Sequence, residues 1–245
     1  MIRKLLQFAI FFLFVFFLMS FQIPTRIIAY VKSNTFLNYH FNEIKNVLEG
    51  NQSSTNKKMA KVIIDYSRYD EETNDYFKEI ALREEFRDVI HDSPHRWTED
   101  MKIYCIGFCP DYLTEELNKI VKELNDLIDP INIEVVKQQS QANFIIYLGS
   151  MDSYMKLYPS INRDILLHNW GYFEASTTHG SMYVDMIRTT DNQEAQKHLL
   201  REELTQSLGL SNDSYDYPES MFYQGWTTTT EFAEIDKRLI DMLYN

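Results

Sequence analysis

Residues 195–212, A-Q-K-H-L-L-R-E-E-L-T-Q-S-L-G-L-S-N, constrain the fold more than any other stretch of the chain. Their spacing predicts a helix stopped at Gly209, because glycine just past a last turn adopts left-handed backbone at little cost. On a 3.6-residue period Ala195, Leu199, Glu202 and Gln206 share one stripe, with Glu203 at its edge, while Leu200, Leu204 and Leu208 form a second, apolar stripe. A helix apolar on two sides belongs in a core. Glu202, Glu203 and Gln206 are then set against buried surface, where an unpaired carboxylate is expensive. A metal ion, an arginine, backbone donors or a water-filled cleft could compensate them.

The rest of the chain supplies a layer for that helix. Residues 101–107 read as a strand, and 111–128 as a helix with Leu113, Leu117, Ile120, Val121, Leu124 and Ile128 at three- and four-residue steps. Residues 131–136 read as a short strand. The continuous apolar run 142–149 suits a central strand, and 181–186 a further strand leading into the motif helix. The stretch 157–179 carries few periodic signals and is expected to be an irregular excursion near a cleft. Residues 231–244 read as a final helix. The fold class expected is α+β, a mixed twisted sheet with helices packed on it.

Upstream, 75–89 reads as an amphipathic helix and 59–69 is ambiguous between helix and strand. Residues 5–21 are almost wholly apolar behind Arg3 and Lys4. A helix of that length spans ~25 Å, just under a bilayer core. It is expected to be a signal anchor, with a cleaved signal as the alternative. Either reading puts the remainder in the cell envelope, outside the cytoplasm, with the membrane as a partner. The organisation expected is 1–22 as anchor or signal, 23–95 as a mainly helical connection, and 96–245 as the main domain. A net charge of −12 over 245 residues, with no basic stripe, excludes a nucleic-acid partner.

The motif carries a resemblance. Glu202-Glu203-x-x-Gln206-x-x-Gly209-x-x-Asn212 resembles the metzincin zinc-peptidase signature H-E-x-x-H-x-x-G-x-x-H. Glu203 matches its general base and Gly209 its turn glycine, whereas the three histidine positions are Glu202, Gln206 and Asn212. Downstream, Ser220-Met221-Phe222-Tyr223 resembles the methionine turn that such enzymes place beneath the metal. Tyr76-Phe77, Arg96-Trp97, the motif itself and Tyr217-Pro218-x-Ser220 are closer still to a family of bacterial envelope lipoproteins whose domain has no assigned function. This chain departs from them in lacking a lipidated cysteine near its start.

The resemblance implies a zincin-like fold whose metal ligands have been exchanged. One carboxylate and two amides make a poor zinc site, so no cofactor is expected; a hard divalent cation suits oxygen ligands better. Glu202, Gln206 and Asn212 are instead expected to hydrogen-bond one another and the backbone. The function that follows is a non-catalytic, peptidase-like protein binding a peptide or envelope protein in the old cleft, by addition to the edge strand at 181–186. A hydrolase with an altered metal site and Glu203 as base is the alternative. His198 and His179 could form a shifted ligand set, although the helical wheel turns His198 toward solvent beside Arg201 and Thr205. His91 and His95 flank a proline that breaks the helix needed to align them. Cys105 and Cys109 are placed to close a small disulfide, the alternative being two reduced thiols.

Overall fold

The computed structural model describes residues 62–85 and 87–245. The apolar segment at 1–22 and the connection through 61 lie outside them, and among the described residues no helix is long and apolar enough to cross a membrane. Residues 62–69 hold only a single 3-10 turn, Tyr66–Arg68, rather than a helix or a strand.

Helix α1 (Glu71–Ala81) begins where Asp70 accepts a hydrogen bond from the Thr73 amide at 2.8 Å. It buries Tyr76, Phe77, Ile80 and Ala81. The helix expected over 75–89 stops there, because the next positions on its apolar stripe are Glu84 and Glu85. The chain instead forms a hairpin, β1 (Arg83–Glu84) against β2 (Arg87–Ile90), with Glu85 in its turn.

The main sheet contains β3 (Met101–Ile106), β4 (Ile133–Val135), β5 (Phe144–Gly149), β6 (Gly171–Ala175) and β7 (Gly180–Asp185). Their order is β4-β3-β5-β7-β6, and only β6 is antiparallel to its neighbour. The run F-I-I-Y-L-G is indeed central, paired with β3 on one side and β7 on the other. Helix α2 (Asp111–Leu127) carries the chain between the parallel strands β3 and β4.

Two expectations are corrected. The strand before the motif helix, β7, is flanked on both sides and is not an edge. The edge is β6, which lies within the stretch expected to be irregular, after the short helices α3 (Met151–Leu157) and α4 (Arg163–His168). Gly171–Ala175 is too short and too mixed to show the alternation of a strand; its pairing with β7 fixes it.

Alternation along the strands sorts two faces. Met101, Ile103, Phe144, Ile146, Met182 and Val184 join the main core with α1, α2, α5 (Gln193–Gln206) and α6 (Glu234–Tyr244). Tyr183 faces the other way and stacks on Tyr154 of α3, with ring centroids 4.8 Å apart. Helix α5 lies against β6, β7 and α2, so both of its apolar stripes are covered, as its sequence demands.

Candidate functional site

Helix α5 ends at Gln206, and the chain leaves it through Gly209 at φ +123°. A Cβ there would collide with the backbone oxygen of His95. Trp97 and Tyr244 satisfy the last carbonyls of the turn: Trp97 Nε1 donates to Ser207 O at 2.9 Å and Tyr244 Oη to Leu208 O at 2.8 Å. Arg96 Nη1 donates to Leu243 O at 2.8 Å. The Arg96-Trp97 pair is therefore a clamp on the motif's exit.

The methionine turn is equally anchored. Asp236, fully buried, accepts hydrogen bonds from Ser220 Oγ (2.6 Å), the Met221 amide (3.0 Å) and the Ala233 amide (2.8 Å). Ser214 N donates to Phe222 O at 2.9 Å, tying the turn to the segment that follows the motif. Met221 itself is buried.

The two sides of α5 treat charge in opposite ways. On one side Arg201, fully buried, pairs with Glu116 at 2.9 Å and with Glu123, and its guanidinium lies over Phe232 at 4.6 Å. Thr205 caps its hydroxyl on Arg201 O. On the other side four carboxylates, Glu85, Glu202, Glu203 and Asp213, line a cavity of about 310 Å³, and no lysine or arginine is among the described residues that line it. Glu203 is only 7% exposed, and among the described residues no hydrogen bond or ion pair reaches its carboxylate. Neither an arginine nor the Met221 turn is its partner; Asp236 serves that turn instead.

Burial raises all four acids. Glu202 and Glu203 are pushed well above the usual carboxylate range by desolvation and then by the neighbouring acids. Desolvation pushes Asp213 to about 7, against the lowering effect of its bond from Gln206. Glu85 is pushed to about 8 by burial and by Asp213.

The positions expected to replace zinc ligands behave differently from one another. Gln206 Nε2 donates to Asp213 Oδ1 at 2.6 Å, whereas Asn212 Nδ2 donates to Asp213 O at 2.8 Å. Glu202 Oε2 lies 3.4 Å from His198 Nε2. His198 does not face solvent: it is 3% exposed, and its Nδ1 donates to Thr229 O at 2.6 Å, which leaves Nε2 without a proton in the neutral ring. Burial lowers His198 and raises Glu202, so the shared proton belongs to Glu202. The wheel turned His198 toward solvent, but the ring lies at the acidic hollow beside Glu202 and is buried under Thr229.

His179 sits at the turn end of the β6–β7 hairpin, far from Gly171, on which Glu203 packs. The rings of His91 and His95 do meet, edge to face at 5.1 Å, but His91 Nε2 bonds Glu84 at 2.8 Å. The residues do not fit a zinc ion. Gln206 and Asn212 turn amide donors to Asp213, and among the described residues no three His, Cys, Asp or Glu converge to hold one.

Cys105 and Cys109 are free thiols, at the end of β3 and just before α2. Cys105 shares its proton with the Cys109 sulfur, which raises Cys105 and holds Cys109 down at about 6, helped by Thr114 Oγ1 at 3.4 Å. At pH 7 iodoacetamide should therefore modify Cys109 about tenfold faster than Cys105. Labelling of neither residue until a reductant is added would show the pair oxidised to the disulfide.

Glu85 and Asp213 are the site residues that sequence reasoning missed. Asp213 adjoins the motif and could have been found there. Glu85 could not, because its stretch reads as helix.

The cavity continues along β6. A second hollow of about 220 Å³ shares Glu85 and Gln206 with the first and touches Tyr172–Ser176. In the β6–β7 ladder Asp185 N bonds Trp170 O, and Ser176 N bonds His179 O. By antiparallel alternation the N–H and C=O groups of Gly171, Phe173 and Ala175 point away from β7, toward the free edge. No described residue bonds them. The groove thus has an acidic floor from α5 and an unpaired strand as its wall.

Two solved structures of myroilysin are similar to this chain. One is 11% identical, and the match covers 61% of this chain and 82% of that one with a TM-score of 0.41. The other is 9% identical, with 69% and 92% covered and a TM-score of 0.41. No curated protein matches significantly. A family model matches residues 70–245, from the cap of α1 through the hairpin, the sheet, the motif helix and the methionine turn to the last residue, and the chain accordingly belongs to the family described as proteins of unknown function, DUF2927.

Proposed function

We propose that this is a non-catalytic, peptidase-like binding protein of the cell envelope, held there by its apolar N-terminal segment, that takes an extended peptide along the free edge of β6. The observation that carries this reading is the unpaired edge itself: Gly171, Phe173 and Ala175 offer alternating backbone donors and acceptors into a groove running the length of the strand. Strand addition uses just such groups. Hydrolysis with Glu203 as general base is the weaker reading, because burial disfavours the ionised form that a base needs.

The test is a proline. Ala175 is exposed, and its N–H points outward, so Ala175→Pro removes an edge donor without breaking the ladder. A panel of fluorescein-labelled decapeptides, read by anisotropy, should include binders that lose about tenfold in affinity to this variant, the worth of one backbone hydrogen bond. Its thermal unfolding should stay within about 3 °C of the parent. Unchanged affinity in a folded Ala175→Pro protein would end the strand-addition reading.

A further inference from the structure

Buried like charges need a counterion or protons, and among the described residues neither lysine nor arginine lines the larger hollow that holds the four acids. Glu203 is the sharpest instance, since it is 93% buried by its 7% exposure, without a partner among the described residues, and lines the cavity. Its carboxylate packs on Gly171, where a Cβ would overlap Oε1, so the acid lies directly beneath the free edge of β6.

The shape of the cluster selects its occupant. The acids surround the hollow without converging on a point, and among the described residues no three could share one metal ion. A point cation would leave most of them unsatisfied. A guanidinium with five N–H donors, or an ammonium with three, reaches several carboxylates at once. The mouth is built for the stem that carries such a group. Trp170 and Trp226 stand there edge to face, 4.9 Å apart and exposed, and both line the cavity. Aromatic rings attract cations and cover alkyl chains. A volume of about 310 Å³ admits one long side chain.

We propose that the hollow receives a cationic side chain, arginine or lysine, of the bound peptide, with its head among Glu85, Glu202, Glu203 and Asp213 and its stem lying over the exposed Trp170 and Trp226 rings. This rests on the peptide reading of β6. The other titratable groups around the hollow are His168 from the end of α4, His198 from α5 and Tyr223 from the methionine turn. Arg96 lies in the neighbouring hollow and is spent on Leu243 O. A cation favours the ionised acids, so binding releases protons, and affinity rises as pH increases from 6 to 8.5.

The experiment uses the full-length protein in detergent and two kinds of probe. Decapeptides carrying arginine, lysine or citrulline at one central position are compared by anisotropy. Agmatine, which carries a guanidinium and an ammonium on one alkyl stem, is titrated separately by calorimetry in two buffers of different ionisation enthalpy. The expected result is that arginine or lysine peptides bind at least tenfold tighter than the citrulline peptide. Glu203→Gln, and Glu202→Gln with it, should remove that advantage while the protein still unfolds cooperatively. Agmatine should bind with proton release.

Equal binding of all three peptides would overturn this proposal and leave the β6 reading intact. Agmatine binding that Glu203→Gln removes, with no peptide bound at all, would support the cation pocket and end the β6 reading. Stoichiometric calcium or zinc, lost in Glu203→Gln, with no discrimination between arginine and citrulline, would assign the acids to a metal and overturn it.

Discussion

Acidifying the protein from pH 8.5 to 5.5 is expected to raise its unfolding midpoint by on the order of 10 °C. The sign follows from where protons reside. In the unfolded chain Asp213 and Glu85 ionise near 3.8 and 4.5, whereas in the fold burial moves them to about 7 and about 8. Glu202 and Glu203 shift in the same direction. Between those limits the folded state binds more protons than the unfolded state, so stability falls as pH rises through the window. Above pH 5.5, Asp213 alone would account for about 2 kcal/mol and Glu85 alone for about 3 kcal/mol. The four interact, and about 3–6 kcal/mol for the cluster is the reasonable expectation. Self-repulsion at a net charge of −12 acts in the same sense. Glu203→Gln removes one titrating site with little change of shape. It should flatten the profile and stabilise the protein at pH 8.5 by about 2 kcal/mol. Thermal melts across that range check both statements. A midpoint that falls on acidification would mean that the acids are ionised and paired in the free protein.

The opposite face of α5 gives the second large effect, with the opposite sign. Arg201→Ala should destabilise the protein by about 3–5 kcal/mol, measured by urea denaturation at pH 7. Arg201 is fully buried, and its removal strands Glu116, itself 6% exposed, with only Lys197 Nζ at 3.9 Å. It also empties the space above Phe232. Arg201→Ala combined with Glu116→Gln should recover part of the loss, because the stranded charge, rather than the missing contact, dominates the cost. A loss below about 1 kcal/mol would show that water reaches the pair. One helix therefore carries a charge cluster compensated within the fold and another that no described cation compensates, and the second faces the groove. That contrast is the physical ground for assigning a ligand to one face and structure to the other.

Much of the frame was legible in the chain. The apolar steps of 111–128 gave α2, and the run F-I-I-Y-L-G gave the central strand β5. The two apolar stripes of α5 required cover on both sides and received it from β6, β7 and α2. Gly209 at φ +123° carries the chain off the end of the helix, and Ser220, Met221 and Phe222 lie buried. These features were readable because each is local. A helical period, an unbroken apolar run or a glycine at positive φ needs no knowledge of distant residues.

What the tertiary structure alone decided is the chemistry of the groove. Residues 171–175 are a strand because β7 pairs with them, and the edge falls there because no described strand pairs beyond. Glu85 joins the acids because the apolar stripe of α1 lapses after Ala81, and the chain folds back in a hairpin that carries the turn toward α5. The solvent-facing reading of His198 failed because Thr229, about thirty residues downstream, covers it. The sequence by itself determined that Glu202 and Glu203 would lie against buried surface, since their helix is apolar on both sides. Whether an arginine, a metal or an empty hollow would meet them depended on which distant segments pack there. Burial and charge compensation are sums over neighbours in space, and spacing along one helix cannot supply those neighbours.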